Sequence, residues 1–306
     1  MMNKGLAIVV YMILCLIWSS TWLMIKVGLE GAPPMTSAAL RFIIASLIIF
    51  AILVKLRIHL PRTRHFILLS IFLGFFQIGA PYALVYWGEQ YISSGLAAIL
   101  FGTMPLFVAI LARVILGDPM TLLKLIGIII GTFGVYVIFS DSVSLGGYMS
   151  TWGMAAMILS SILASLSSVL VKKYSNPYHP YASLLIPMAV GGVILTAWGV
   201  LFEKTNPVHY DALTITTVLY LGIIGSVAAF GLYFWIIKHV DVTLLSYMTF
   251  IIPILACLLG WIFLRETLTI NVLIGTGLIF AGIALATFRN LRRKGPRNAV
   301  HTRTAG

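Results

Sequence analysis

Three observations predict an all-α integral membrane protein with ten transmembrane helices in two inverted five-helix repeats. The 306 residues are 60% hydrophobic and 9% charged, with a mean hydropathy of +1.06. Charged surface that sparse cannot wrap a soluble core. Almost every charge falls between apolar runs of roughly twenty residues, the length that crosses a hydrocarbon core at about 1.5 Å per residue. The stretch 80–139 also recurs without a gap 148 residues later, as 228–287. Ala80, Leu84, Trp87, Leu96, Pro105, Leu111, Leu116, Thr121, Leu125, Ile126, Gly127 and Gly134 all meet identical residues there, and Asp118 meets Glu266. Such self-similarity marks a duplicated unit.

The spans are expected at 6–25, 35–54, 66–86, 94–115, 122–139, 151–171, 181–202, 213–237, 243–264 and 270–288. The first is too long for a secretory h-region and lacks a small-x-small cleavage site before Lys26, so it stays as a helix. Short connections carry the breakers Ala32-Pro33-Pro34, Gly117-Asp118-Pro119 and Asn176-Pro177. The halves are 1–141 and 142–306, with a short linker expected near 142–150 and a basic tail from about 289. A weaker offset of 146 aligns their first two spans, pairing Ser19 with Ser165, Lys26 with Lys172 and Pro34 with Pro180.

Net charge +12 suggests nucleic acid at first sight, yet the basic residues sit in short loops and in the tail. No soluble domain presents them. Lys4, Lys55, Arg57, Arg62, Arg64, Arg113, Lys124, Lys172, Lys173, Lys238 and the tail fall on one side, and only Lys26, Lys204 and Arg265 on the other. The excess predicts a multi-pass protein of the cytoplasmic membrane with both termini cytoplasmic. Five spans per half is an odd number, so the second half must insert upside down relative to the first. Inverted halves around a midplane site are how secondary carriers are built. Cys15 and Cys257 both lie inside apolar runs, and neither is read as half of a disulfide.

The sequence resembles the EamA family of the drug/metabolite transporter superfamily. The residues that carry the resemblance are Leu16-Ile17-Trp18-Ser19-Ser20-Thr21-Trp22 with Lys26, Pro34 with Leu40-Arg41-Phe42, and Ala80 to Trp87. Pro105 recurring as Pro253, and Leu264-Arg265-Glu266-Thr267-Leu268 before a glycine-bearing last span, complete the set. The resemblance implies ten helices, a central cavity between the halves and export of small metabolites such as amino acids. One departure is Gly117-Asp118-Pro119, where the family tends toward Gly-Glu-Thr.

The candidate cavity residues are Trp18, Ser19, Trp22, Gln77, Tyr82, Tyr86, Thr103, Pro105, Ser161, Ser165, Ser168, Phe230, Phe234, Thr249 and Pro253. Pro105 and Pro253 each lie about eleven residues into a span, near the midplane, and free the carbonyls of Phe101 and Thr249. At that depth only protein, water or a ligand can satisfy a carbonyl. A packing kink is the plainer reading. Ser161, Ser165 and Ser168 form a stripe at i, i+4 and i+7, opposite which the first span offers Cys15, Ser19 and Trp22. Such hydroxyls serve close helix contact or a ligand. Tyr82 with Tyr86, and Phe230 with Phe234, suit an amphipathic small molecule or an interfacial belt.

Arg41 is the one charge well inside a span, and it is open to snorkelling, to pairing with Glu30 or Glu89, or to a substrate carboxylate. All eight acids fall in or beside loops, which argues against a deep proton relay and toward a neutral, zwitterionic or amphipathic substrate. Gly127, Gly131 and Gly134 predict close packing of the fifth span on the tenth, at Gly275 and Gly282, or a homodimer contact. No carboxylate pair, Ser–His couple or zinc motif lies in the spans, so an intramembrane enzyme is disfavoured. No cofactor or metal is expected. The expected partners are a small-molecule substrate and the lipid bilayer, without nucleic acid, for a monomer or homodimer.

Overall fold

The computed structural model describes residues 4–145, 147–174, 179–203, 211–237, 239–240 and 242–292. Lys204, Lys238, Asp241, the Asn176-Pro177 breaker and the tail from 293 lie outside them. Among the described residues there are ten helices long and apolar enough to cross a membrane, and no strand. They are α1 (Lys4–Gly28), α2 (Pro34–Lys55), α3 (Arg64–Glu89), α4 (Ser94–Leu116), α5 (Leu122–Leu145), α6 (Gly147–Tyr174), α7 (Pro180–Phe202), α8 (Ala212–Ile236), α9 (Leu244–Leu264) and α10 (Ile270–Arg292). All ten expected spans are found, displaced at their ends by a few residues. The linker expected at 142–150 is instead helical at 142–145 and 147–150.

Helix α2 packs along α7 and α5 along α10, whereas α1 lies against α8 and α9, and α6 against α3 and α4. The first helix of each half thus docks on the third and fourth helices of the other. Glycine makes the α5–α10 contact possible: a Cβ on Gly134 would sit 2.6 Å from the Gly275 carbonyl oxygen, and Gly127 abuts Gly282 in the same way. The expected glycine seam is therefore present. Under the 148-residue offset Gly127 maps to Gly275 and Gly134 to Gly282, so these two contacts exchange.

An even number of spans leaves both ends of the chain at one end of the bundle, here the terminal end. At the opposite, far end, helix starts are capped by distant carboxylates. Pro34 has no N–H to offer, and the next two donors of α2, Met35 N (2.7 Å) and Thr36 N (2.9 Å), both bond Glu203 at the end of α7, as does Thr36 Oγ1 at 2.8 Å. At the start of α4, Ser93 Oγ accepts from Leu96 N, while Ser94 N (2.8 Å), Ser94 Oγ (2.9 Å) and Gly95 N (3.3 Å) donate to Glu266. Glu266 thus anchors the loop before α10 to the start of α4. Lys26 does the converse job, donating to the carbonyls of Glu89 (2.7 Å), Gln90 (3.3 Å) and Ile92 (2.8 Å) where α3 ends.

Candidate functional site

Three helices are interrupted at depth, and a fourth carries the proline that matches one of the breaks. Helix α3 is π-helical over Gly74–Gly79 and α8 over Tyr220–Ala228. Adding 148 to 74 and 79 gives 222 and 227, inside the second segment. Such bulges recur at functional sites. Helix α4 opens at Gly102 and Thr103 just before Pro105, and α9 carries Pro253 within it and a turn at Tyr247.

The serines of α1 and α6 close these breaks. Ser165 Oγ reaches the Met104 carbonyl at 3.1 Å as well as its own Ser161 carbonyl at 2.7 Å. Ser19 Oγ reaches the Ile252 carbonyl at 3.1 Å and its own Cys15 carbonyl at 2.6 Å. Ser19 pairs with Ser165 under the offset of 146, and Ile252 with Met104 under that of 148, so one bond is the image of the other. The Phe101 carbonyl freed by Pro105 accepts from Ser161 Oγ at 3.1 Å. Thr103 Oγ1 bonds the Leu100 carbonyl at 2.6 Å and lies 3.3 Å from Ser161 Oγ. In this conformation these hydroxyls are committed to main chain. Ser168 falls elsewhere: it is exposed, and the buried serines of α6 are Ser160, Ser161, Ser165 and Ser167. Ser168 lies only about 20° around the axis from Ser161, so its exposure comes from its level along α6, beyond the last hydrogen bond to α4 at Ser165.

The rings form separate groups. Trp18 meets Phe230 at 6.1 Å and Tyr233 at 5.3 Å between ring centres, and Trp22 meets Phe101 at 5.5 Å. Tyr82 meets Phe42 at 4.6 Å. Gln77, Phe234 and Thr249 are half-buried and join none of these hydrogen bonds. A crevice of about 480 Å³ between α4, α9 and α10 takes in Pro253 alone of the expected cavity residues, and exposed Leu258 and Trp261 line it.

The third group is charged. Arg41 is 3% exposed, its guanidinium lying 5.0 Å from the Tyr82 ring centre and 5.2 Å from that of Phe42. Its Nε donates to Ser226 Oγ at 3.0 Å, while Ser226 Oγ donates to the Leu221 carbonyl five residues back, along the π turn. No ion pair holds Arg41. The one ion pair among the described residues is Lys172–Asp118, and Glu30 is exposed. Arg41 still interacts electrostatically with Tyr86, Tyr82 and Glu89. Glu89, which the sequence placed at a loop edge, is wholly buried together with Tyr86. Its place beside a loop, as the last residue of α3, is the one the sequence predicts; its complete burial there is not. The hint was spacing: Tyr82, Tyr86 and Glu89 lie at i, i+4 and i+7, one face of α3. Ser226 was missed, though a lone hydroxyl beside Gly225 in an apolar run was a usable sign.

A profile of the EamA-like transporter family matches residues 5–140 and 151–288. The chain belongs to that family. It is 28% identical to YoaV, an uncharacterised transporter of Bacillus subtilis, over 91% of this chain and 96% of that one. Similarity to the uncharacterised inner membrane transporter YedA of Escherichia coli is 29%, covering 90% and 88%. PagO of Salmonella typhimurium is 28% identical over 83% of this chain and 84% of its own length. A crystal structure with a TM-score of 0.65, at 19% identity over 96% of this chain and all of its own, shares the fold. Family and relatives together support a multi-pass membrane transporter.

Proposed function

We propose that this EamA-family protein is a secondary carrier that moves small neutral, zwitterionic or amphipathic, amino-acid-like metabolites out of the cell by alternating access. Its halves are inverted repeats, both termini are cytoplasmic, and it performs no catalysis. The observation that carries the reading is the exchanged pair of hydrogen bonds, Ser19 to Ile252 and Ser165 to Met104. Each half stations a serine at the proline break of the other, so the breaks lie on the surfaces that must part when one half rocks against its partner. Weakened backbone at that interface supplies hinges and, once parted, carbonyls able to meet a solute.

The test is flux by purified protein in lipid vesicles. Saturable uptake of one solute class, accelerated by the same solute preloaded inside, is the expected result. Uptake that is neither saturable nor stimulated by preloading contradicts a carrier.

A further inference from the structure

Charges drawn into this fold come in two kinds. Glu203 and Glu266 each accept three hydrogen bonds from a helix start, and Lys26 gives three to a helix end. Those charges are satisfied. Arg41 and Glu89 differ. The Nη1 of Arg41 and both carboxylate oxygens of Glu89 are buried without a hydrogen-bond partner among the described residues, and so are Tyr86 Oη and Ser37 Oγ. An unmet charged group inside a bilayer protein is costly, and where one persists it marks a site of action.

We propose that Arg41 and Glu89 are the two poles of the transport site, and that its substrate is a zwitterion whose carboxylate goes to Arg41 Nη1 and whose ammonium goes to the Glu89 carboxylate. The proposal rests on the carrier reading. Ser226 holds Arg41 by Nε, and Phe42 and Tyr82 lie within cation–π distance of the guanidinium. The remaining N–H groups suit the planar oxygens of a carboxylate. Glu89 has Lys26, Glu266 and Arg41 as charged neighbours, of which the first two are committed to main chain, and none claims its oxygens by a hydrogen bond among the described residues. Tyr86 sits between the poles on the same face of α3, where its hydroxyl can donate to a carboxylate or accept from an ammonium. Arg41 lies over the Tyr82 ring and also interacts with Tyr86 one turn on, so along α3 it stands three to seven residues from Glu89, about 5–10 Å of helix.

The test is uptake by the full-length protein in vesicles of radiolabelled neutral amino acids, their amides, which lack the carboxylate, and their N-acetyl forms, which lack the ammonium. Wild type is expected to move a free amino acid at least about tenfold faster than either analogue, since a charge-assisted hydrogen bond is lost with each. Glu89→Gln should slow the free form by about tenfold and bring it level with its N-acetyl form, with the preference over the amide intact. Arg41→Gln should do the reverse, and should it fail to fold, the nearly isosteric Glu89→Gln decides alone. Equal transport of all three solutes by wild type, or equal slowing of all three by Glu89→Gln, overturns the proposal. Uptake of an amphipathic dye without uptake of any amino acid overturns the zwitterion and leaves the carrier standing. No flux of anything overturns the carrier as well.

Discussion

Asp118 and Glu266 occupy equivalent positions in the two halves, 148 residues apart, and they end up doing different things at opposite ends of the bundle. Both follow a residue with positive φ, Gly117 at 70° and Arg265 at 54°, and both close the preceding helix with the same backbone bond, to Ala112 and to Gly260. From there Glu266 reaches across to the start of α4 and binds three donors. Asp118, one methylene shorter, meets Lys172 in a pair whose side chains are 38% and 64% exposed. The same turn therefore makes a brace at the far end and a weak surface contact at the terminal end. The difference teaches where this fold keeps its stability: among the described residues, carboxylate braces between the halves, from Glu203 and Glu266, hold the far end and none holds the terminal end.

That contrast can be broken. Glu266→Ala or Glu203→Ala strands three donors at a helix start and should cost about 2–4 kcal/mol each, read as a fall in thermal midpoint in detergent, with Gln recovering part of it. A loss no larger than that from a surface site would dissolve the distinction between the ends. Ser19→Ala and Ser165→Ala should each cost about 1 kcal/mol, and nearly the same amount, because the two bonds are images of one another. A large gap between the two would mean that only one break needs its serine. The smallest effect is expected for Lys172→Ala, below about 1 kcal/mol and vanishing in high salt. A larger, salt-resistant loss would make the terminal end as firmly closed as the far one.

The ten spans were readable because run length in lipid follows from one number, the rise of a helix across a fixed thickness. The glycine seam at Gly127, Gly134, Gly275 and Gly282 was readable because small residues at helical spacing have few other uses. The proline breaks were seen, but not their partners: Ser165 and Met104 are 61 residues apart, and no local period connects them. The π turns escaped for the same reason, although Pro81 beside Gly79 disturbs the third span and Gly222 with Gly225 the eighth. Glu89 was placed rightly at the end of α3, but its burial was not legible, because distance from a helix end measures exposure only when the end itself is exposed. Here α6 packs over α3, and Lys26 ties down its last carbonyls.

The central claim is that the two ends open in turn, and it is tested most directly at the closed one. Spin labels at Gln90 and Ile270, both exposed and one in each half, placed in a background with Cys15 and Cys257 replaced by alanine, report the width of the far end by pulsed electron resonance. Alternating access predicts a short distance and a second, longer population that grows or shrinks when a transported solute is added. A single distribution unchanged by a solute that the same protein carries across vesicles would contradict the account.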